Sequence, residues 1–224
     1  MKYQGVFFDF DYTLGDSTPA IAEGYRLGFA ALGLDPPTVD QVRPTIGLTL
    51  ADGYSLITGD HDPERQETFF CTFQETVGVK AQGAGRTLMI EGTTLFPGAA
   101  DLLEALKSAG VRTAIVSTKP GDTIRRIFEH QDRLDLLDLV IGGDEVQHSK
   151  PNPEGLRMAL ERLGLEAEDV LFCGDTVIDA ATAQAGRCQF CAVLNGTTKA
   201  PAFERFPYVH IAQDLAELKS WLEV

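Results

Sequence analysis

The apolar positions of this chain follow two different rhythms. Short continuous apolar runs alternate with segments of helical spacing, both at the very start and throughout the part beyond residue 97. Continuous runs are typical of parallel strands buried on both faces, and their alternation with helices predicts a parallel sheet. The predicted strands are 5–10, 111–117, 137–141, 170–173 and 190–194, and the predicted helices that follow are 99–109, 122–131, 153–163, 178–185 and 214–221.

The stretch between residues 16 and 93 shows helical signals alone. Ser17 or Thr18 can cap a first helix, Thr38 and Gln41 have the spacing of a capping box, and Asp62 precedes a third helix. The third helix carries an apolar stripe that we expect in the core, composed of Phe69, Phe70, Phe73 and Val77. The glycine-rich piece at 83–92 is predicted to be a hinge or return linker.

These patterns predict the fold class and its division into domains. The fold class is α/β, with a Rossmann-like parallel sheet that has helices on both faces. Because the first strand belongs to this sheet, the helical block interrupts it. We therefore predict a discontinuous core formed by 1–15 and 94–224, and an inserted all-helical domain at 16–93.

Composition narrows the possible partners. Of 224 residues, 44% are hydrophobic, as in ordinary globular proteins, and 33 acidic against 19 basic residues give a net charge of −14. Nucleic acids and anionic membranes attract basic surfaces, so we expect neither as a partner. No apolar stretch approaches the roughly 18 residues of a membrane helix, and Asp9 interrupts the first apolar run. The expected location is the cytoplasm.

Polar and charged side chains follow the predicted strands at the points where they end. Ligands of open parallel sheets bind beyond the carboxyl ends of the strands, so these side chains should converge. In chain order they are Asp9, Asp11, Thr13, Ser117, Thr118, Lys119, Lys150, Asp175 and Asp179.

The residue types indicate phosphate chemistry assisted by a metal. Several carboxylates in one small volume repel one another, and a hard divalent cation such as Mg²⁺ relieves that repulsion. A hydroxyl group and a lysine can hold phosphate oxygens, while a carboxylate can act as a nucleophile and a second one as acid and base. The glycine-rich loops that bind nucleotides and the Gly-x-Ser-x-Gly elbow are both absent from the sequence.

Four segments in order resemble the motifs of the haloacid dehalogenase (HAD) superfamily. Asp9-Phe-Asp11-Tyr-Thr13 resembles motif I, and the apolar strand ending in Ser117-Thr-Lys119 resembles motif II. Ser149-Lys150-Pro resembles motif III, and Gly174-Asp175-Thr-Val-Ile-Asp179 resembles motif IV. The helical insertion after motif I is similar to the C1 cap of that superfamily. The segments Leu32-Gly-Leu34 and Leu95-Phe-Pro-Gly98 resemble most closely the phosphoglycolate-phosphatase-like members of this superfamily.

The resemblance implies a role for each matching residue. Asp9 would be the nucleophile and a Mg²⁺ ligand, and Asp11 the general acid and base with its backbone carbonyl on the metal. Asp175 would ligate Mg²⁺, and Asp179 would support the metal site. The phosphate-binding set would be Thr13, Ser117, Thr118 and Lys150, and Lys150 would also belong to the catalytic residues with Asp9 and Asp11. The implied activity is hydrolysis of small phosphomonoesters through an aspartyl-phosphate, with phosphoglycolate as the leading substrate.

The sequence departs from the HAD motifs at two positions, and the resemblance is less specific in the cap. Tyr12 stands where glycine is common, and Thr118 where asparagine is frequent. In the cap, Arg43 and Gly47 are the expected specificity residues, in a segment at 43–50 that is otherwise apolar or hydroxyl-bearing. The expected partner is a small phosphorylated metabolite, and the expected assembly is a monomer or homodimer.

Three alternative functions differ from this interpretation in identifiable residues. A sugar-phosphate mutase resembling β-phosphoglucomutase carries a cap histidine where this chain has Ile21, and an arginine soon after the cap glycine, where Gly47 is followed by Leu-Thr-Leu-Ala. A phosphorelay receiver has adjacent acidic residues and about half this length. A binding protein with an inactive site would have lost part of the catalytic set, which is complete here.

Overall fold

The computed structural model describes residues 2–78 and 80–224. The strands are β1 (Gly5–Phe8), β2 (Gly15–Asp16), β3 (Thr94–Leu95), β4 (Arg112–Val116), β5 (Leu139–Ile141), β6 (Val170–Gly174), β7 (Gln189–Val193) and β8 (His210–Ala212). The α-helices are α1 (Thr18–Ala31), α2 (Val39–Val42), α3 (Leu50–Thr58), α4 (Pro63–Thr76), α5 (Gly83–Glu91), α6 (Ala99–Ser108), α7 (Gly121–His130), α8 (Glu154–Leu163), α9 (Val177–Gly186) and α10 (Leu215–Leu222). Single 3₁₀ turns lie at Arg43–Thr45, Leu134–Leu136, Ala167–Asp169 and Ala200–Phe203.

The main sheet has the strand order β5-β4-β1-β6-β7-β8, and every neighbouring pair in it is parallel. The α/β fold class predicted from the apolar rhythm is therefore confirmed. β1 lies between β4 and β6, with Phe8 opposite Ile115 on one side and Cys173 on the other. The carboxyl ends of these three strands consequently meet at one edge of the sheet.

Burial explains why β1 reads as a continuous apolar run. Phe7 belongs to a core cluster with Leu156 of α8 and Ala183 of α9. Val6 and Phe8 alternate with Phe7 and point to the opposite face, and they are equally inaccessible to solvent. A strand buried on both faces has no room for polar positions until it ends, which is where Asp9 begins the polar segment.

The chain divides into two compact units, Met1–Gly15 with Leu95–Val224, and Asp16–Thr94. The first unit holds the parallel sheet and the helices from α6 onward. The second unit holds α1 to α5, and among its described residues only Asp16 of β2 and Thr94 of β3 belong to strands. The short ribbon of β2 and β3 marks the two places where the chain passes from one unit to the other.

The helical unit is built around glycines that allow aromatic side chains to approach α1. A Cβ atom added at Gly28 would lie 2.5 Å from the Phe69 ring, and one added at Gly24 would lie 2.5 Å from Phe73. Tyr25 packs edge-on against Phe69, with 4.9 Å between ring centroids. The predicted caps are confirmed where α2 begins with a Thr38 capping box and α4 begins after Asp62.

Two local expectations within this unit are wrong. The glycine-rich piece at 83–92 is not a hinge, because Gly83–Glu91 forms α5. Gly85 serves close packing instead: an added Cβ would lie 1.7 Å from the carbonyl oxygen of Thr76. Phe70 is 41% exposed and does not belong to the core stripe, because it is turned about 100° around α4 from the buried Phe69.

Among the described residues, none of the helices combines the length and apolar character that a membrane crossing requires.

Replacing Gly28 by alanine tests the close packing of α1 on α4. In an open helix this change stabilises a protein by about 0.5–1 kcal/mol. Here the added Cβ overlaps Phe69, and overpacking of this kind costs about 1–3 kcal/mol. We therefore expect Gly28→Ala to lower the free energy of unfolding in urea titrations. In a Phe69→Leu background the same change should cost much less. Greater stability of Gly28→Ala in the otherwise unchanged protein would contradict this packing.

Candidate active site

The carboxyl edge of the sheet brings together side chains from three motifs. Asp9 follows β1, Ser117 follows β4 and Asp175 follows β6. All three are buried, with exposed fractions of 1%, 6% and 2%. Buried polar side chains at the ends of apolar strands are costly unless they are paired, so their partners define the site.

Lys150 is the central cation of this group. Its Nζ lies 2.8 Å from Oδ1 of Asp9 and 2.6 Å from Oδ1 of Asp179. The Lys150–Pro151 peptide bond directly after it is cis. Lys150 and Ser117 also line one small cavity of about 10 Å³ between the ends of β4 and β5. The structure thus brings the predicted phosphate-binding Lys150 into contact with the predicted nucleophile Asp9, and Ser117 shares a cavity with Lys150.

Three carboxylates crowd around this lysine. One oxygen each of Asp9, Asp175 and Asp179 lies within 4.8 Å of the other two. Burial raises the pKa of Asp9 to about 6, against the attraction of Lys150, and the Asp179 charge adds to the increase. Burial, followed by repulsion from Asp179 and Asp9, also raises the pKa of Asp175 well above its usual value. For Lys150, burial lowers the pKa, but the attraction of Asp179 and Asp9 outweighs it and leaves the pKa raised.

This cluster fits a divalent cation. Its donors are carboxylate oxygens, which hard cations prefer, and one lysine does not neutralise three carboxylates. Asp9, Asp175 and Asp179 are the residues that could hold the ion. The side chain of Asp11, which motif I also contains, is not in the cluster: both of its oxygens face Lys119 Nζ, at 3.0 and 3.2 Å.

Asp179 is oriented by the first turn of α9. Thr176 caps this helix, and its hydroxyl donates to Oδ2 of Asp179 at 2.6 Å, which leaves Oδ1 to Lys150. A Cβ added at Gly174 would lie 2.4 Å from Cβ of Asp179, so glycine is needed for this approach. The spacing of motif IV therefore gives Asp179 two tasks, a helix cap and an ion pair with Lys150.

The turn of motif I is held in a left-handed conformation at Tyr12. Its φ is 60°, a region where glycine has no steric cost, which accounts for glycine being common at this place in the resemblance. Tyr12 adopts it with a buried ring that packs against Phe96, at 6.5 Å between centroids. The bulkier residue is accommodated by packing.

Two further residues support the site and were missed by the sequence analysis. The amide of Asn195 donates to the backbone oxygen of Thr13 at 3.1 Å, while the Thr13 hydroxyl donates to Oδ1 of Asp175 at 3.3 Å. Gly196 lies so close that an added Cβ would be 2.0 Å from Oδ2 of Asp175. Both directly follow the predicted strand at 190–194, so the strand-end argument would have found them had it been applied there.

The turn after β4 is stabilised by the Ser117 hydroxyl group and by the loop that follows β5. The amide of Lys119 donates to the Ser117 hydroxyl oxygen at 3.3 Å, and the Gly143 amide donates to the carbonyl of Lys119 at 3.1 Å. A Cβ added at Gly143 would lie 2.3 Å from the carbonyl oxygen of Thr118. The glycines after β5 thus let this turn approach closely, and Thr118 is half-buried within it.

The two predicted specificity residues belong to the helical unit. Arg43 is exposed at the start of a 3₁₀ turn, with Nε 4.0 Å from Oδ1 of Asp40. Gly47 has a φ of 95°, which side-chain-bearing residues rarely adopt. Their role in choosing a substrate stays a prediction.

The chain is similar to known proteins over most of its length. The sequence profile described as haloacid dehalogenase-like hydrolase matches residues 6–193. A haloacid dehalogenase-like hydrolase structure from Bacteroides fragilis superimposes with a TM-score of 0.89 at 36% identity, covering 97% of this chain and 100% of the other.

Curated relatives include two phosphoglycolate phosphatases. The phosphoglycolate phosphatase of Salmonella typhimurium is 33% identical over 215 residues, covering 86% of this chain and 82% of the relative. That of Escherichia coli is 33% identical over 211 residues with the same coverage. The buried Asp-Lys cluster, the profile match and these relatives agree, and the chain belongs to the haloacid dehalogenase-like hydrolases.

Proposed function

We propose that this protein is a Mg²⁺-dependent phosphatase that hydrolyses small phosphomonoesters through an aspartyl-phosphate on Asp9. The observation that carries the proposal is the buried group formed by Lys150 with Asp9 and Asp179, next to Asp175. Mg²⁺ held by the three carboxylates would neutralise charge there and favour the ionised form of Asp9.

The chain's own residues account for the two chemical steps. A carboxylate oxygen of Asp9 attacks phosphorus, the bond from phosphorus to the leaving oxygen breaks, and that oxygen takes a proton from Asp11. Water then attacks the same phosphorus and gives its proton to Asp11, and the bond to Asp9 breaks to release phosphate. In this proposal Lys150 and Ser117 hold the phosphoryl oxygens, and Thr13 and Thr118 complete the phosphate-binding set.

Phosphoglycolate is the substrate we propose first. The two enterobacterial relatives are phosphoglycolate phosphatases, at 33% identity. This substrate carries a carboxylate beside its phosphate, so we propose that a cation in the helical unit discriminates it, with Arg43 as the candidate and Gly47 shaping the same segment. We further propose a cytoplasmic location and a monomer or homodimer.

Loss of the proposed nucleophile tests the central step. We expect Asp9→Asn to lower kcat on the order of a thousandfold or more, because an amide cannot form the aspartyl-phosphate. The assay is phosphate release with Mg²⁺ present, over a panel of phosphomonoesters. Asp135→Asn is the control, since Asp135 is a surface residue paired with Lys107. Near-normal turnover of Asp9→Asn would exclude Asp9 as nucleophile.

Removal of a carboxylate from the cluster tests the metal assignment. We expect Asp175→Ala to weaken Mg²⁺ binding about tenfold or more, because loss even of groups that only support a metal ligand costs about 10–100-fold in affinity. Calorimetric titration of Mg²⁺ measures this directly, and circular dichroism verifies the fold. If the titration superimposes on that of the unchanged protein, Asp175 does not bind the metal.

A substrate comparison tests Arg43. We expect Arg43→Ala to lower kcat/KM for phosphoglycolate about tenfold more than for a neutral aryl phosphate, because only the former offers a second negative charge. Arg26→Ala is the matched control, an exposed arginine of the same unit paired with Glu23. Equal losses on both substrates would show that Arg43 does not recognise the carboxylate.

A further inference from the structure

Lys119 lies inside the site, yet none of the motif roles uses it. It stands two residues after Ser117, and its side chain is only 6% exposed. Its ammonium group contacts both carboxylate oxygens of Asp11, at 3.0 and 3.2 Å. Burying a lysine costs free energy unless an opposite charge compensates it. The Lys119–Asp11 ion pair is therefore a structural part of the site.

Lys119 is held from several directions. Its backbone amide donates to the Ser117 hydroxyl oxygen, and its carbonyl accepts from the Gly143 amide. The Phe10 ring lies beneath the ammonium, with 5.7 Å from Nζ to the ring centroid. Phe10 is itself fixed by packing against Phe128 of α7, at 6.1 Å between centroids. Contacts other than the Asp11 ion pair thus also hold Lys119 in place.

The two buried lysines divide the carboxylates between them. Lys150 forms ion pairs with Asp9 and Asp179, whereas Lys119 forms an ion pair with Asp11. One ammonium that contacts both oxygens fixes the rotation of the carboxyl group. It also accounts for the Asp11 side chain lying outside the group of Asp9, Asp175 and Asp179, although Asp11 is only two residues from Asp9.

We propose that Lys119 is a positioning residue that keeps the Asp11 carboxyl group apart from the metal-binding carboxylates and oriented for proton transfer. This inference rests on the proposed function, in which Asp11 gives a proton to the leaving oxygen. Without Lys119, the carboxyl group is free to rotate, and the step that needs it slows most when the leaving group depends on the proton.

The dependence of kcat/KM on the leaving group distinguishes a residue that positions Asp11 from one that only supports the structure of the site. We expect Lys119→Met to lower kcat/KM for alkyl phosphates at least tenfold more than for p-nitrophenyl phosphate, whose leaving group departs without a proton. Asp11→Asn should show the same selectivity, and the double variant Lys119→Met/Asp11→Asn should add no further selective loss. Lys107→Met is the control, a lysine of α6 in an exposed ion pair, and should behave as the unchanged protein.

Each contrary outcome is distinct. An equal loss of kcat/KM across leaving groups, or a further selective loss in the double variant, would overturn the proposal. A rise in KM for all substrates with kcat unchanged would assign Lys119 to phosphate binding instead. If Lys119→Met does not fold, Lys119→Gln removes the ammonium group while keeping a polar side chain, and unchanged leaving-group selectivity in that variant would overturn the proposal. Failure of the proposed function is separate, since the unchanged protein would then release no phosphate with Mg²⁺ present.

Discussion

The ammonium group of Lys150 lies within ion-pair distance of two buried carboxylates, those of Asp9 and Asp179, while Asp175 adds a third carboxylate nearby. A single lysine ammonium cannot neutralise three carboxylates. Burial raises the pKa of Asp175 and brings that of Asp9 to about 6, and repulsion between the neighbouring carboxylates adds to both increases. In the proposed function, a divalent ion held by these carboxylates would offset their repulsion and favour the ionised form of Asp9.

The parallel sheet is what makes such a concentration possible. β1 lies between β4 and β6, so the residues that directly follow these strands lie close together at the same edge of the sheet. Glycines at 174 and 196 bring backbone within contact of Asp179 and Asp175, where any side chain would overlap. The apolar strands also remove water from beneath the site, which strengthens every charge interaction above them.

Predictability from sequence differed between parts of the molecule for physical reasons. Strands such as β1 and β6 were predictable because both faces are buried and every position is apolar. The glycine-rich start of α5 was not, because the need for glycine at position 85 arises from its approach to Thr76, a contact invisible in sequence. The strand-end rule identified Asp9, Lys150 and Asp175, but spacing alone does not reveal which lysine pairs with which carboxylate. The Lys119–Asp11 pair therefore emerged only from the geometry.

The measurement that tests the central claim most directly is covalent trapping. The protein would be mixed with Mg²⁺ and phosphoglycolate or p-nitrophenyl phosphate, quenched in acid within a single turnover, and its peptides mapped by mass spectrometry. The account predicts one phosphoryl group on Asp9, which disappears as turnover ends. Phosphate release with no phosphorylated peptide at any time, or a phosphoryl group on another carboxylate, would contradict it.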